Sequence, residues 1–170
     1  MPNKTIVEKA KRDLSRGKSA STAAGEFVRE EIEHVREGKH GARSTKQAIA
    51  IGLSQARRAG VPLKPPRRGR TSARTRRGAE RAYETGQGRR QPRAPSARRA
   101  RATEAALRRE PRAAGSSQAL SRQAKSAARQ RGASARSQAA VRAAATKGPT
   151  RRSRAAKKAA ATRSRHRAGT

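Results

Sequence analysis

The chain has 170 residues, with 45 Lys and Arg against 11 Asp and Glu, so its formal net charge is +34. Alanine supplies 37 of its apolar positions, which leaves 17 larger apolar side chains, too few for one core of ordinary density. The absence of cysteine excludes disulfides and thiolate sites, and no apolar run approaches the roughly 18 residues of a membrane span.

Residues 1–60 predict a small head of three helices. The third is the best specified, over residues 45–59, because Ser44 stands in the N-cap position and Gly60 and Pro62 end the helix. A weakly stable bundle of this size often needs a partner, so we expect the head to self-associate or to bind another protein.

The two preceding helices end at glycines, Gly17 and Gly38. In the second helix, Phe27, Ile32 and Val35 recur close to the helical period of 3.6 residues. This spacing predicts an amphipathic second helix.

Residues 61–70 read as a proline-rich basic linker, and residues 71–170 as a low-complexity tail rich in Arg, Ala and Ser. The net charge is +6 over residues 1–60 and +28 over the remainder, and no acid follows Glu110. The predicted fold class is therefore mostly α: a three-helix head followed by a long disordered cationic tail with transient helices.

Several parts of the tail have helical composition because Ala and Arg are strong helix formers. Pro95 and Pro111 bound one capped segment, and residues 72–85, 117–131 and 134–146 are weaker candidates. Since Arg repels Arg and little can be buried, these helices are expected to be transient in the free chain.

The tail's cations predict binding to a polyanion through its phosphates, with little dependence on base sequence. Arginine outnumbers lysine 34 to 11, and its planar guanidinium suits bidentate phosphate contact. The candidate nucleic-acid contacts are Arg67, Arg68, Arg70, Arg74, Arg76, Arg77, Arg89, Arg90, Arg98, Arg99, Arg101, Arg151, Arg152, Arg154, Lys157, Lys158, Arg163 and Arg165.

Tyr83 is the single aromatic residue of the tail, whereas proteins that bind single strands interleave aromatics for base stacking. This favours duplex DNA and a nucleoid-associated, histone-like protein of the bacterial cytoplasm. RNA or ribosome binding by the same tail is the first alternative, and a structural accessory protein whose head binds a protein partner is the second. Membrane anchoring is disfavoured because the tail has almost no large apolar residues.

The head is also compatible with a helix-turn-helix in which residues 45–59 form the recognition helix. The connection over residues 38–44 is longer than the usual turn, so a packed bundle for self-association is the alternative. The candidate backbone contacts are Arg43, Lys46, Arg57 and Arg58, and Gln47 or Gln55 could read adenine.

Glu31 and His34 have the Glu-x-x-His spacing of carboxylate metal sites, but the chain holds one copy, so an exposed, salt-bridged helix face is expected instead. The five glutamates between residues 26 and 37 suggest a second interpretation, docking of this acidic segment against the tail. No metal, cofactor or small-molecule substrate is predicted. Nothing indicates an enzyme, because the sequence has no phosphate-binding glycine loop and no nucleophile elbow.

Residues 43–60 read RSTKQAIAIGLSQARRAG. They resemble the KQAIAIALSEAR-x-AG signature of small basic bacterial proteins grouped as a domain of unknown function, some of them labelled DNA-binding. Gly52 stands where that pattern often has Ala, and Gln55 where it often has Glu. The spacing of alanines and bases in the tail is similar to that of bacterial histone H1-like tails. The family has no established mechanism to carry over to this chain, and the likeness of the tail is one of composition.

Overall fold

The computed structural model describes residues 3–92, 94 and 96–168. Its helices are α1 (Lys4–Ser15), α2 (Ala20–Glu37), α3 (Thr45–Arg58), α4 (Ala73–Gly86), α5 (Ala97–Arg109), α6 (Ser117–Gln130) and α7 (Gly132–Ala168), with a 3₁₀ turn at Arg112–Gly115. The chain divides into two compact units, Met1–Gln123 and Ala124–Thr170. The predicted helix boundary at Pro95 lies outside the described residues.

Short polar residues start the helices in both halves of the chain. The side chains of Ser19 and Ser44 accept hydrogen bonds from backbone amides at the starts of α2 and α3, and Ser72 and Ser96 do the same for α4 and α5. Each such bond satisfies an amide that the helix itself leaves unpaired. The helices of the predicted tail therefore begin by the same chemistry as those of the predicted head.

The core of the first unit lies between α1, α2 and α3. Phe27 of α2 is fully buried and packs with small side chains such as Ala10 and Ala56. The α2 and α3 backbones approach so closely at Gly52 that a Cβ atom there would lie 2.7 Å from the Cα of Val28. Small residues thus replace the missing large ones, because they let helix backbones pack at short range.

The predicted disordered tail is wrong, and α4 is the first element that contradicts it. This helix lies against α3, with Ala79 and Ala82 buried. A Cβ atom at Gly86 would lie 1.8 Å from the carbonyl oxygen of Arg57, so the backbones of α3 and α4 meet here without room for a side chain. Just beyond, the amide Nε2 of Gln87 donates to the carbonyl of Gly60 at 3.2 Å.

Residues 107–116 also belong to the folded unit. Ala114 in the 3₁₀ turn is buried in a cluster with Ile32 and Val35 of α2. The hydroxyl of Thr45 donates to the carbonyl of Ala114 at 2.7 Å, which anchors the turn to the start of α3. The segment therefore completes a core that the head alone leaves open.

The predicted docking of acidic α2 on the tail has a different chemical basis from the one expected. The Nε of Arg36 donates to the carbonyl of Gly115 at 2.8 Å, so a base of α2 binds the tail's backbone. Among the described residues, the ion pairs of Glu26 and Glu37 join them to bases of the head. Backbone carbonyls and alanine of the tail, rather than its arginines, make these contacts with α2.

Helices α5, α6 and α7 bury none of their described side chains. The positions of these helices agree with the helical composition of the tail, but the expectation that they are transient is wrong. Their Ala and Arg content favours the helical backbone without a core. Gly148, with φ 66° and ψ 170°, interrupts α7 just before Pro149. No helix in the described part of the chain is both long enough and apolar enough to cross a membrane.

Candidate nucleic-acid interface

A cleft of about 950 Å³ opens beside the outer faces of α3 and α4 in the first unit. Its apolar lining includes Ile49 and Leu53 of α3 and Ala79 and Ala82 of α4. The basic residues that line it are Lys46, Arg57, Arg58, Arg81, Arg90 and Arg99. None of the described residues along the cleft is acidic, so its walls attract anions without an internal counter-charge.

The basic residues that α3 contributes to the cleft lie on one stripe of the helix, in which residues recur every four positions. Lys46, Ala50, Ser54 and Arg58 follow each other at this interval, and all four line the cleft. Lys46 and Arg58 are exposed. An Nη atom of Arg58 donates to the hydroxyl of Ser54 at 2.8 Å, which orients the guanidinium along the helix while leaving donors free.

Arg57 also lines the cleft, but its environment differs from that of Arg58. It is 8% exposed, its Nε donates to the carbonyl of Leu63 at 3.1 Å, and an Nη atom lies 3.4 Å from the carbonyl of Leu53. Burial lowers the pKa of the Arg57 guanidinium from its ordinary value. Arg57 therefore holds the chain after α3 in place, and its charge is mostly withdrawn from solvent.

The opposite side of the cleft comes from the region that was expected to be disordered. Arg81 lies on α4, Arg90 follows that helix, and Arg99 lies in the first turn of α5, and all three are exposed. Arg81 is not among the contacts predicted from the sequence. The signal that could have identified it is the small-residue stripe of Ala79, Ala82 and Gly86, which marks the face of α4 that lies toward α3.

The structure thus brings five of the sequence-predicted contacts together in one cleft: Lys46, Arg57, Arg58, Arg90 and Arg99. Arg76 is half-buried and pairs with Glu80 at 3.4 Å. The remaining predicted bases are exposed outside the cleft: Arg43, Arg67, Arg68, Arg70, Arg74, Arg77, Arg89, Arg98, Arg101, Arg151, Arg152, Arg154, Lys157, Lys158, Arg163 and Arg165.

The two glutamines proposed to read adenine form hydrogen bonds inside the protein. The side-chain oxygen of Gln47 accepts from the backbone N–H of Arg43 at 2.9 Å, and the amide of Gln55 donates to Glu31 at 3.1 Å. Helix α3 also contacts both α2 and α4, which leaves one narrow edge exposed. This arrangement favours α3 as the wall of a cleft over α3 as a helix inserted into a groove.

The second unit, Ala124–Thr170, contains 14 bases and no acid. Every base from Lys125 to Arg165 is exposed. Like charges repel along such a helix, and an added polyanion removes this repulsion. The unit therefore offers a dense set of cations with no intramolecular partner of opposite charge among its own residues.

Glu31 departs from the exposed, salt-bridged face predicted for it, because its side chain is 1% exposed. Its Oε1 lies 3.4 Å from the Nε2 of His40, in the loop after α2, and its Oε2 accepts from Gln55. Burial raises the pKa of the Glu31 carboxyl, and the neighbouring His40, the Gln55 hydrogen bond and His34 act in the opposite direction. Glu31, His34 and His40 can supply one metal-ligand atom each.

Comparison with known proteins shows one match, in the N-terminal part of the chain. None of the curated proteins and none of the solved structures compared with the chain matches it. This match is to a family of unknown function, and it confirms the domain of unknown function that was expected. The finer signature and the histone H1-like tail stay predictions. Residues 5–68, which include α1, α2 and α3 and end before α4, match the model of a family of unknown function, DUF6496.

Proposed function

We propose that this protein binds nucleic acid through phosphate contacts with little dependence on base sequence, and that duplex DNA is the preferred polymer. The observation that carries the proposal is the cleft beside α3 and α4, where exposed basic residues from distant parts of the sequence lie together. None of the described residues that line the cleft is acidic. Cations fixed on helices contact phosphates at a smaller entropic cost than cations on a flexible chain.

In this proposal the two units have different tasks. The cleft holds one stretch of sugar-phosphate backbone against Arg58, Arg81 and Arg90, and its apolar floor excludes water around the ion pairs. The exposed basic residues of the second unit add further phosphate contacts along the polymer, and these contacts increase the affinity at low salt. Association with the bacterial nucleoid is the cellular role that this chemistry supports.

Duplex DNA is favoured over a single strand because stacking platforms are scarce. Tyr83 is half-buried on α4, and Phe27 is fully buried, so neither offers an exposed ring face to a base. Contacts to phosphate alone do not separate duplex DNA from structured RNA. RNA or ribosome binding is therefore the second candidate function, supported by the same cleft.

The test is a fluorescence-anisotropy titration of the full chain with short duplex DNA, the same sequence as duplex RNA, and heparin, between about 50 and 200 mM salt. A triple variant, Arg58→Ala, Arg81→Ala and Arg90→Ala, removes three exposed bases of the cleft. Each phosphate contact contributes about −0.9 to the log–log salt slope, so the variant should reduce the slope by up to about 2.7.

The matched control removes the same charge from α1 and its C-cap through Lys11→Ala, Arg12→Ala and Arg16→Ala, three basic residues that are exposed and far in sequence from the cleft. We expect this control to keep the wild-type salt slope. Equal losses in both triple variants would show that net charge, and not the cleft, binds the polymer. Tighter binding to duplex RNA would favour the second candidate, and no binding to any polymer at about 50 mM salt would leave the protein-partner hypothesis.

A further inference from the structure

The Glu31 carboxylate is buried without a full set of partners. Its side chain is 1% exposed, and its Oε2 accepts from the amide of Gln55 at 3.1 Å. Its Oε1 is fully buried and has no hydrogen-bond partner among the described residues. A buried carboxylate oxygen without a donor is costly, so a hydrogen-bond donor or a cation at this position would stabilise the fold.

When the His40 ring is neutral, the ring nitrogen nearest this oxygen, Nε2, cannot donate a hydrogen bond to it. Its Nδ1 lies 3.1 Å from the carbonyl of Gly41, which can only accept, so Nδ1 carries the proton. Nε2 then carries a lone pair and lies 3.4 Å from Oε1 of Glu31. Two acceptors face each other across a short gap, and a cation between them satisfies both.

The separation of these two atoms suits a metal ion. Ligand atoms about 2.0–2.2 Å from a tetrahedral zinc are about 3.3–3.6 Å apart, and the Glu31–His40 distance of 3.4 Å falls in this interval. The backbone carbonyl on the far side of His40 is the outer partner that metal-binding histidines generally have, since it fixes the tautomer and the ring orientation.

His34 supplies a third ligand from α2. It lies one turn after Glu31, its ring is half-buried, and its centroid is 6.2 Å from that of His40. One ligand atom from each of the three residues can be chosen so that all lie within 4.8 Å of one another. A tetrahedral zinc would require this set to close from within 4.8 Å to the ligand separations given above.

The turn that ends α2 creates this arrangement. Gly38 has φ 78°, a left-handed conformation that favours glycine, and the N–H of Lys39 donates to the carbonyl of His34 at 3.0 Å. This turn folds the loop back over α2, which places His40 beside Glu31. The same loop bonds to the last turn of α5, because the N–H of Gly41 donates to the carbonyl of Leu107 at 2.8 Å.

We propose that Glu31, His34 and His40 form a binding site for one divalent transition-metal ion of the Zn²⁺ class. Two imidazoles and one carboxylate are the ligand types that Zn²⁺ uses, and a water molecule occupies the fourth position. The ion ties α2 to the loop over residues 38–44 and thereby stabilises the fold. The site is separate from the basic cleft and does not depend on nucleic-acid binding.

The test uses the full, chelator-treated chain with Zn²⁺ in calorimetry and Co²⁺ in visible absorption spectroscopy. We expect one ion per chain, the intense visible absorption of four-coordinate Co²⁺, and a melting temperature that rises with Zn²⁺ concentration. Glu31→Gln keeps an oxygen that accepts from Gln55, and it should weaken binding of both ions at least tenfold, as should His40→Ala. Glu33→Gln on the exposed face of α2 and His166→Ala are the matched controls, with unchanged binding.

A direct measurement protects the test against a variant that fails to fold. Long-range ¹H–¹⁵N spectra of the unaltered chain report the Nε2 of His40, which should shift on adding one equivalent of Zn²⁺. Wild-type affinity in folded Glu31→Gln, or an unshifted His40 resonance with Zn²⁺ present, would overturn the proposal.

Discussion

Two neighbouring arginines at the end of α3 have the same predicted role but different environments. Arg57 is buried and donates to the carbonyl of Leu63, whereas Arg58 is exposed and donates to the hydroxyl of Ser54. Consecutive helical residues point about 100° apart, so adjacent positions commonly divide between core and surface. The sequence identified both as basic residues in the last turn of the helix, and only the structure shows that one is buried and the other exposed.

We therefore expect Arg57→Ala and Arg58→Ala to act on different properties. Arg57→Ala should lower the free energy of unfolding by about 1–3 kcal/mol, since the partly buried Leu63 carbonyl loses its donor and the packing of the buried Arg57 side chain is removed. Arg58→Ala should change it by less than about 0.5 kcal/mol but reduce the salt slope of DNA binding by about 0.9. Chemical denaturation and anisotropy measure the two effects, and equal stability losses would contradict the assignment.

At the scale of elements, α4 determines whether the chain after residue 66 is part of the fold. Its contact with α3 rests on small residues, above all Gly86, where a Cβ atom would meet the Arg57 carbonyl at 1.8 Å. Gly78 lies on the same helix with nothing within 4 Å of the corresponding position. A Gly→Ala substitution can therefore be compared at a packed site, Gly86, and at an open site, Gly78, of the same helix.

Gly86→Ala should destabilise the protein by about 1–3 kcal/mol because the backbones of α3 and α4 must separate. Gly78→Ala should stabilise it by about 0.5–1 kcal/mol, since alanine restricts the unfolded chain and fits the helix. Thermal unfolding followed by circular dichroism gives both values. If residues after 66 were a disordered tail, the two substitutions would have the same small effect, and the docking of α4 would be refuted.

At the scale of the whole molecule, charge and core are unevenly distributed. Helix α7 contains 11 of the 45 bases and no acid, and none of its described side chains is buried. Its contribution to affinity is therefore expected to be large, and its contribution to stability small. The first unit supplies the stability, since it contains both buried clusters and all of the acids, and it also forms the basic cleft.

Deletion of residues 132–170 should separate these two contributions. The shortened protein should keep its melting temperature, because no described side chain of the core is lost, while its salt slope for duplex DNA becomes less steep. Differential scanning calorimetry and anisotropy provide the two readings. A melting temperature several degrees lower would show that α7 packs on a core, and an unchanged slope would show that it makes no phosphate contacts.

The sequence alone determined the local structure of this protein. Serine caps, glycine stops and helix-forming alanine act over a few residues, so α3 was predicted within one residue of its observed end, and segments of the predicted tail had the composition of helices that are present. The charge asymmetry and the resemblance of residues 43–60 were also visible without any structure.

Only the tertiary structure decided which of these helices pack together. The prediction of disorder assumed that a core needs large apolar side chains, but Ala79, Ala82 and Ala114 are buried because small residues allow backbones to approach closely. The same long-range contacts place Arg81 and Arg90 beside Arg58, and fold His40 onto Glu31. Contacts between residues far apart in sequence leave no periodic signal, so neither the cleft nor the buried Glu–His cluster could be read from the chain alone.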